Sequence, residues 1–213
     1  MINILFDCKD FVVCEKQPGL LSEHCEKSSI SLPAMLETQL GAEKLFTVHR
    51  LDREVGGVMV YAKSQEFAAF LSSQIANGSF NKEYVAIVSG ALSQKSGELR
   101  DLLFHDRSRN KTYVVNKKRA GVKEAILIYN LDSYDHIEDR STLNIKLLTG
   151  RTHQIRVQLA SRGHPICGDR KYGSSVNLKP IRLHSRMLSF KDESGNELHF
   201  SSHPEWQISI GVK

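Results

Sequence analysis

The sequence predicts an α+β domain built on a largely antiparallel or mixed sheet. Three observations carry that expectation. Short apolar or alternating runs outnumber the segments with helical spacing. The two kinds do not alternate regularly, as a doubly wound parallel sheet requires. At 213 residues, with 40% hydrophobic and 25% charged residues, the chain is long enough to bury one sizeable core.

The elements follow in order. Asp10 to Glu15 (DFVVCE) alternates as a strand, and Lys16 to Leu20 (KQPGL) turns at its Pro-Gly pair. Ser31 to Leu40 reads as a helix, with Ser31 as N-cap, Pro33 in the first turn, and Met35, Leu36 and Leu40 on one face. Leu45 to Val48 leads into His49-Arg50-Leu51-Asp52. Val58 to Ala62 is an unbroken apolar run, the pattern of a buried strand. Ser64 to Asn77 carries Phe67, Phe70, Leu71 and Ile75 at helical spacing and ends at Asn77-Gly78. That aromatic pair is expected in the core, not as a platform for bases. Lys82 to Val88 is a strand with Lys82, Tyr84, Ala86 and Val88 on one alternation.

Ala125 to Leu131 and Thr142 to Leu148 are two further strands, joined by the polar stretch Asp132 to Arg140. Thr152 to Arg162 fits a helix with Ile155 and Leu159 on its apolar face. Met187 to Phe190 and Glu197 to Phe200 flank Ser194-Gly195-Asn196, a hairpin turn. Simple inspection shows no internal repeat.

Composition removes several classes of function. No apolar run approaches the ~20 residues that span a bilayer. The start MINILFDCKD meets acids early and lacks a basic beginning, unlike a secretory signal, so a cytoplasmic protein is expected. Cys8, Cys14, Cys25 and Cys167 have no CxxC spacing, and the nine histidines form no HExxH pair, so neither zinc nor another metal is expected. Neither GxxxxGK[ST] nor GxGxxG occurs, and no cofactor is expected.

The net charge of +5 suits a polyanionic partner. Its distribution says more. Arg107, Arg109, Lys111, Lys117, Lys118, Arg119 and Lys123 stand close together with one nearby acid, Asp106. A solvated loop and a phosphate-contacting surface both fit such a run.

His49 to Lys63 (HRLDREVGGVMVYAK) sets one carboxylate, Asp52, between Arg50 and Arg53, ahead of Gly56, Gly57 and a core strand. Nearby guanidinium groups favour the ionised carboxylate. Taken alone, the segment favours a surface ion pair beside a turn over chemistry.

Other segments change that reading. Lys82-Glu83-Tyr84-Val85-Ala86, Gly150 to Arg156 (GRTHQIR), Gly163 to Asp169 (GHPICGD) with Tyr172, and Leu183-His184-Ser185 follow HRLD in order. Together they resemble the RluA-type family of RNA pseudouridine synthases, in the short form without an S4 domain. The five matches span most of the chain. The resemblance implies one catalytic domain over residues 1–213, with two sublobes, an extended mixed or antiparallel sheet and a central cleft.

It also implies a reaction. Uridine becomes pseudouridine when the N-glycosidic bond breaks, the base turns, and C5 rejoins the sugar, without redox or phosphoryl chemistry. The target must first be flipped out of its stack. By resemblance Asp52 is the catalytic carboxylate, as nucleophile or as base. Arg156 is its ion-pair partner, and Tyr84 stacks on the flipped base. Arg50 fills the gap the base leaves, and Lys82 contacts phosphate. His153 and Gln154 are expected to hold the turn before the helix, His164 and His184 to be structural, and Asp169 to organise the GDRKYG turn. The implied partner is structured ribosomal or transfer RNA, with no protein partner, no membrane and a monomeric enzyme.

One departure stands out. The family has Thr-Ser-Gly after HRLD-x-x, whereas this chain has Val55-Gly56-Gly57, which lacks both hydroxyls. That departure supports the alternative of a catalytically impaired RNA-binding protein of the same fold. A nucleic-acid hydrolase is disfavoured, because the sequence offers no paired carboxylates for metal ions.

Overall fold

A computed structural model describes residues 1–25 and 31–208 of the chain. In chain order its elements are β1 (Asn3–Asp7), β2 (Phe11–Lys16), α1 (Leu32–Leu40), β3 (Phe46–Thr47), β4 (Gly56–Ala62), α2 (Gln65–Asn77), β5 (Asn81–Ser89), β6 (Ser96–Asp106), β7 (Lys111–Val115), β8 (Val122–Asp135), β9 (Arg140–Leu147), α3 (Gln154–Ala160), a 3-10 turn (Arg170–Tyr172), β10 (Leu183–Lys191), β11 (Glu197–Ser201) and α4 (Glu205–Ile208). Strands dominate and the class is mixed α+β, as the patterning predicts. Two compact units divide the chain: Met1–Lys82 with His184–Lys213, and Glu83–Leu183.

The first unit orders its strands β1-β2-β4-β10, with β11 on β10 and β3 also on β4. All these pairs are antiparallel except β4–β10, which run parallel through His184↔Gly56 and Ser185↔Gly57. Every residue of β4 is buried, so its unbroken apolar run reflects cover on both faces. Phe11, Val13, Val58, Val60, Phe67, Leu71, Phe80 and Phe190 form one core cluster. Within it the rings of Phe11 and Phe67 stack at 5.3 Å, and those of Phe80 and Phe190 at 5.4 Å.

Helix α2 is built as the sequence suggests. The Ser64 side chain accepts from Phe67 N, Gly78 ends the helix at φ 80°, and Phe67 and Leu71 face the core. Phe70 packs against the same cluster, so the aromatic pair is structural. Ser31 precedes α1 but its side chain makes no capping bond. Leu32, Pro33 and Leu36 are the buried residues of α1, while Met35 and Leu40 are half-buried. The expected hairpin forms between β10 and β11, with Gly195 at φ 86° in its turn. Strand β1 was not expected.

The second unit is antiparallel throughout, in the order β5-β9-β8-β6-β7. Asp132 to Arg140 is not simply a connection, because β8 continues to Asp135 and β9 begins at Arg140. The short turn between them is closed by Asp135 Oδ1, which accepts from Ile137 N and Glu138 N. The run from His105 to Lys123 is likewise not one loop: β6 and β7 form a hairpin and β8 starts at Val122. Helix α3 is shorter than expected and sets Val157 against Leu103, Ala125 and Tyr172.

Candidate active site

In the first unit the turn carrying Asp52 is built around a buried cation. Lys16, at the end of β2, is 1% exposed. Its Nζ donates to Val55 O at 2.7 Å, Arg53 O at 3.2 Å, and Asp52 O and Gln17 O at 3.3 Å. Carbonyl oxygens only accept, so the cage calls for the protonated ammonium with its three donors. Burial pushes the Lys16 pKa down to about 8, and the negative charges of Asp52 and Glu54 oppose that shift.

Two further bonds fix the same turn. Ser22 Oγ donates to Leu51 O at 2.7 Å and accepts from Leu51 N at 3.1 Å. Gly19 N donates to Arg53 O at 2.7 Å, while Arg53 Nε donates to Gly19 O at 2.9 Å. The half-buried Asp52 therefore sits on a backbone pinned from several sides. The arginines beside it have partners of their own, since Arg50 pairs with Glu23 at 2.8 Å on the surface.

The glycines after Asp52 are steric requirements. Gly57 has φ 119°, and a Cβ there would stand 2.6 Å from Ser185 N, closed off by β10. A Cβ on Gly56 would stand 3.1 Å from both Lys16 O and Pro18 Cδ. A serine at position 56 would force Pro18 to move, so the departure from Thr-Ser-Gly goes with the way Pro18 packs here. Val55 is buried and contributes its carbonyl to Lys16.

His49 accepts from Val60 N at 3.2 Å through Nε2, and burial pushes its pKa down to about 3. Lys82 is half-buried and its pKa is lowered by burial. His184, with Ser202 Oγ at 2.7 Å, is buried and pushed down to about 4. Its environment is structural, as expected.

In the second unit Tyr84 is buried on β5, opposite Ile145 of β9. Arg156, on α3, is 5% exposed and Asp169 is 2% exposed. They form a two-pronged pair, Nε to Oδ2 at 2.6 Å and Nη2 to Oδ1 at 2.9 Å. The expectation for Asp169 was too narrow. Its carbonyl does organise the turn, accepting from Tyr172 N and Ser174 N at 3.1 Å, but its carboxylate holds Arg156.

The Arg156 guanidinium carbon lies 5.1 Å from the centroid of the Tyr172 ring. Tyr172 Oη accepts from Thr112 N at 2.9 Å and lies 2.8 Å from His153 Nδ1. Burial raises the phenol's pKa. Gln154 holds the preceding turn: Oε1 accepts from Thr149 Oγ1 and Arg151 N, and Nε2 donates to Ile126 O.

The basic residues lie on and beside the β6–β7 hairpin. Arg107, Arg109, Lys117, Lys118, Arg119 and Lys123 are exposed. Lys111 lies over the rings of Tyr113 and Tyr172, and Arg119 over Phe104. Asp106, the one acid nearby, accepts from Ser108 N and Arg109 N in the hairpin turn.

Two residues escaped the sequence reading. Lys16 stood in a turn signal as one charge among many, and nothing local marks it as buried. Tyr172 matched a motif, but its contact with Arg156 exists only once α3 and the 3-10 turn pack. No group of residues able to hold a metal ion occurs among the described residues, and none of their helices is long and apolar enough to cross a membrane.

Comparison with known proteins agrees with these motifs. A family model described as "RNA pseudouridylate synthase" matches residues 10–161. The chain is 32% identical over 182 residues to the uncharacterized RNA pseudouridine synthase YhcT of Bacillus subtilis, covering 83% of this chain and 59% of that protein. It is 31% identical over 202 residues to the ribosomal large subunit pseudouridine synthase D of Borreliella burgdorferi, covering 88% and 60%. The chain thus spans about six tenths of the length of these relatives. Among solved structures, human RNA pseudouridylate synthase domain containing 1 superposes with a TM-score of 0.82 at 19% identity, over 99% of this chain and 86% of that one. This last likeness concerns the fold.

Proposed function

Because the chain belongs to the RNA pseudouridylate synthase family, we propose that it isomerises specific uridines in RNA to pseudouridine, with Asp52 as the catalytic carboxylate. The observation that carries the proposal is the Asp52 turn. Its backbone is fixed by the Lys16 ammonium, by Ser22 and by the Gly19–Arg53 bonds, which is how a reactive side chain is held in place before substrate arrives. Asp52 acts at the sugar as nucleophile or as base.

The remaining roles follow the resemblance. By that resemblance Arg156 is the ion-pair partner of Asp52, Tyr84 stacks on the extruded base, and Arg50 occupies the space it leaves. Phosphates are met by the half-buried Lys82 and Lys111 and by Arg107, Arg109, Lys117, Lys118 and Arg119, whose exposed charges suit a polyanion. Relatives named for the large ribosomal subunit favour ribosomal RNA as the substrate class, with transfer RNA next. The enzyme needs no cofactor or protein partner in this reading and works as a monomer in the cytoplasm.

The test is direct. RNA from cells lacking the protein is incubated with wild-type enzyme or Asp52→Asn, and pseudouridine is mapped. Wild type should add pseudouridine at discrete sites, and the variant should lose at least ~1,000-fold in rate. Equal product from both proteins would remove Asp52 from its role. An inactive wild type that binds RNA with a steep salt dependence would favour the binding-protein alternative.

A further inference from the structure

We propose that Asp169 and Tyr172 are the positioning residues of Arg156, and that the Tyr172 hydroxyl ties this seat to the basic hairpin. The inference rests on the reading above in one respect, the assignment of Arg156 to the reaction.

Two contacts hold the guanidinium. Asp169 grips one edge through Nε and Nη2, fixing the plane and the rotation within it. The Tyr172 ring lies against one face at 5.1 Å. Both partners come from one short segment, the motif GDRKYG, and that segment is itself fixed. Gly168 has φ 88°, and a Cβ there would meet Leu178 O at 2.5 Å, so only glycine lets Asp169 approach in this way. Asp169 O then accepts from Tyr172 N, which locks carboxylate and ring to each other.

The outward connection runs through one hydroxyl. Tyr172 Oη accepts from the backbone N–H of Thr112, which lies on β7. Thr112 Oγ1 donates to Thr152 O at 2.8 Å, just before α3. The strand bearing Lys111, next to Arg107 and Arg109, is therefore bonded to the residue against which Arg156 rests. Through these bonds the hairpin expected to meet RNA is joined to the seat of Arg156.

The experiment compares Asp169→Asn, Tyr172→Phe and Arg156→Ala with wild type, as full chains. Total RNA from cells lacking the protein serves as substrate, and the Arg156 Nε–H exchange rate is followed by NMR. Asp169→Asn should lower kcat ~100-fold with KM within ~2-fold of wild type, because it loosens the guanidinium alone. Tyr172→Phe keeps the ring and loses the hydroxyl. It should lower kcat ~10-fold and also raise KM, and it should speed Nε–H exchange. Should Asp169→Asn not fold, Tyr172→Phe still decides. Wild-type kcat and wild-type exchange in Tyr172→Phe would overturn the proposal. A fully active Arg156→Ala would instead overturn the role of Arg156, and the exchange rates alone would then judge the seat.

Discussion

Each unit of the molecule buries a cation, Lys16 under the Asp52 turn and Arg156 on α3, and the two solve the problem of burial in opposite ways. Lys16 in the first unit is surrounded by neutral carbonyls, four acceptors shared by three ammonium protons. Arg156 in the second is met by a formal counter-charge, Asp169. A carbonyl cage spreads the stabilisation over a turn and organises the backbone. A carboxylate concentrates it in one bond pair and fixes a single side chain. The first arrangement suits the task of holding the Asp52 turn, and the second that of aiming a guanidinium.

The difference predicts unequal costs of removal. Arg156→Met strands a buried carboxylate and should destabilise the protein by about 3–5 kcal/mol in urea unfolding. Lys16→Met leaves dipoles rather than a charge, and about 1–3 kcal/mol is expected. The reverse order would break the comparison.

Acid sharpens it further. His49 and His184, both in the first unit, have folded-state pKa values near 3 and 4, below the ordinary 6.5. The unfolded chain takes up their protons first as the pH falls, so stability present above pH 6.5 is lost on the way down to about 4. By pH 5 the loss is about 2 kcal/mol for each histidine. Urea midpoints between pH 7 and 5 measure it, and His184→Gln should remove about half of the slope.

The smallest effect lies on the alkaline side. With a folded pKa near 8 against the ordinary 10.5, Lys16 releases its proton from the native protein first. Stability then rises with pH across that window, by about 1 kcal/mol between pH 8 and 9. The rise should vanish from Lys16→Met when the two proteins are measured side by side. Arg156 gives no such signal, because arginine does not titrate there.

What could be read from the sequence depended on whether a residue's meaning was local. Helix α2 was legible because Ser64, its apolar spacing and Gly78 all lie within it. Strand β6 was not, and Asp101 shows why. Strand alternation with Leu99 and Leu103 calls for an apolar residue there, but Asp101 accepts from Gln158 Nε2 at 2.7 Å, on α3, and from Arg162 Nη1 at 2.9 Å, just past its end. The pattern is broken by partners 57 and 61 residues away. In the candidate site the motifs pointed to Asp52, Tyr84 and Arg156. They were silent on Lys16, three of whose four acceptors lie in another segment, and they attached Asp169 to its own turn rather than to Arg156.

The contact of Gly57 with Ser185 has a consequence for the order of assembly. A ribosome delivers Gly57 long before it delivers Ser185, and the whole of Glu83–Leu183 emerges between them. That middle stretch is contiguous, and its β6–β7 and β8–β9 hairpins are the kind of local contact that forms fast. The first unit must keep one edge of β4 open at its two glycines until β10 arrives, and only then is the sheet behind Asp52 complete. For a nascent chain, the strand that completes the Asp52 turn is made only after the whole of the second unit.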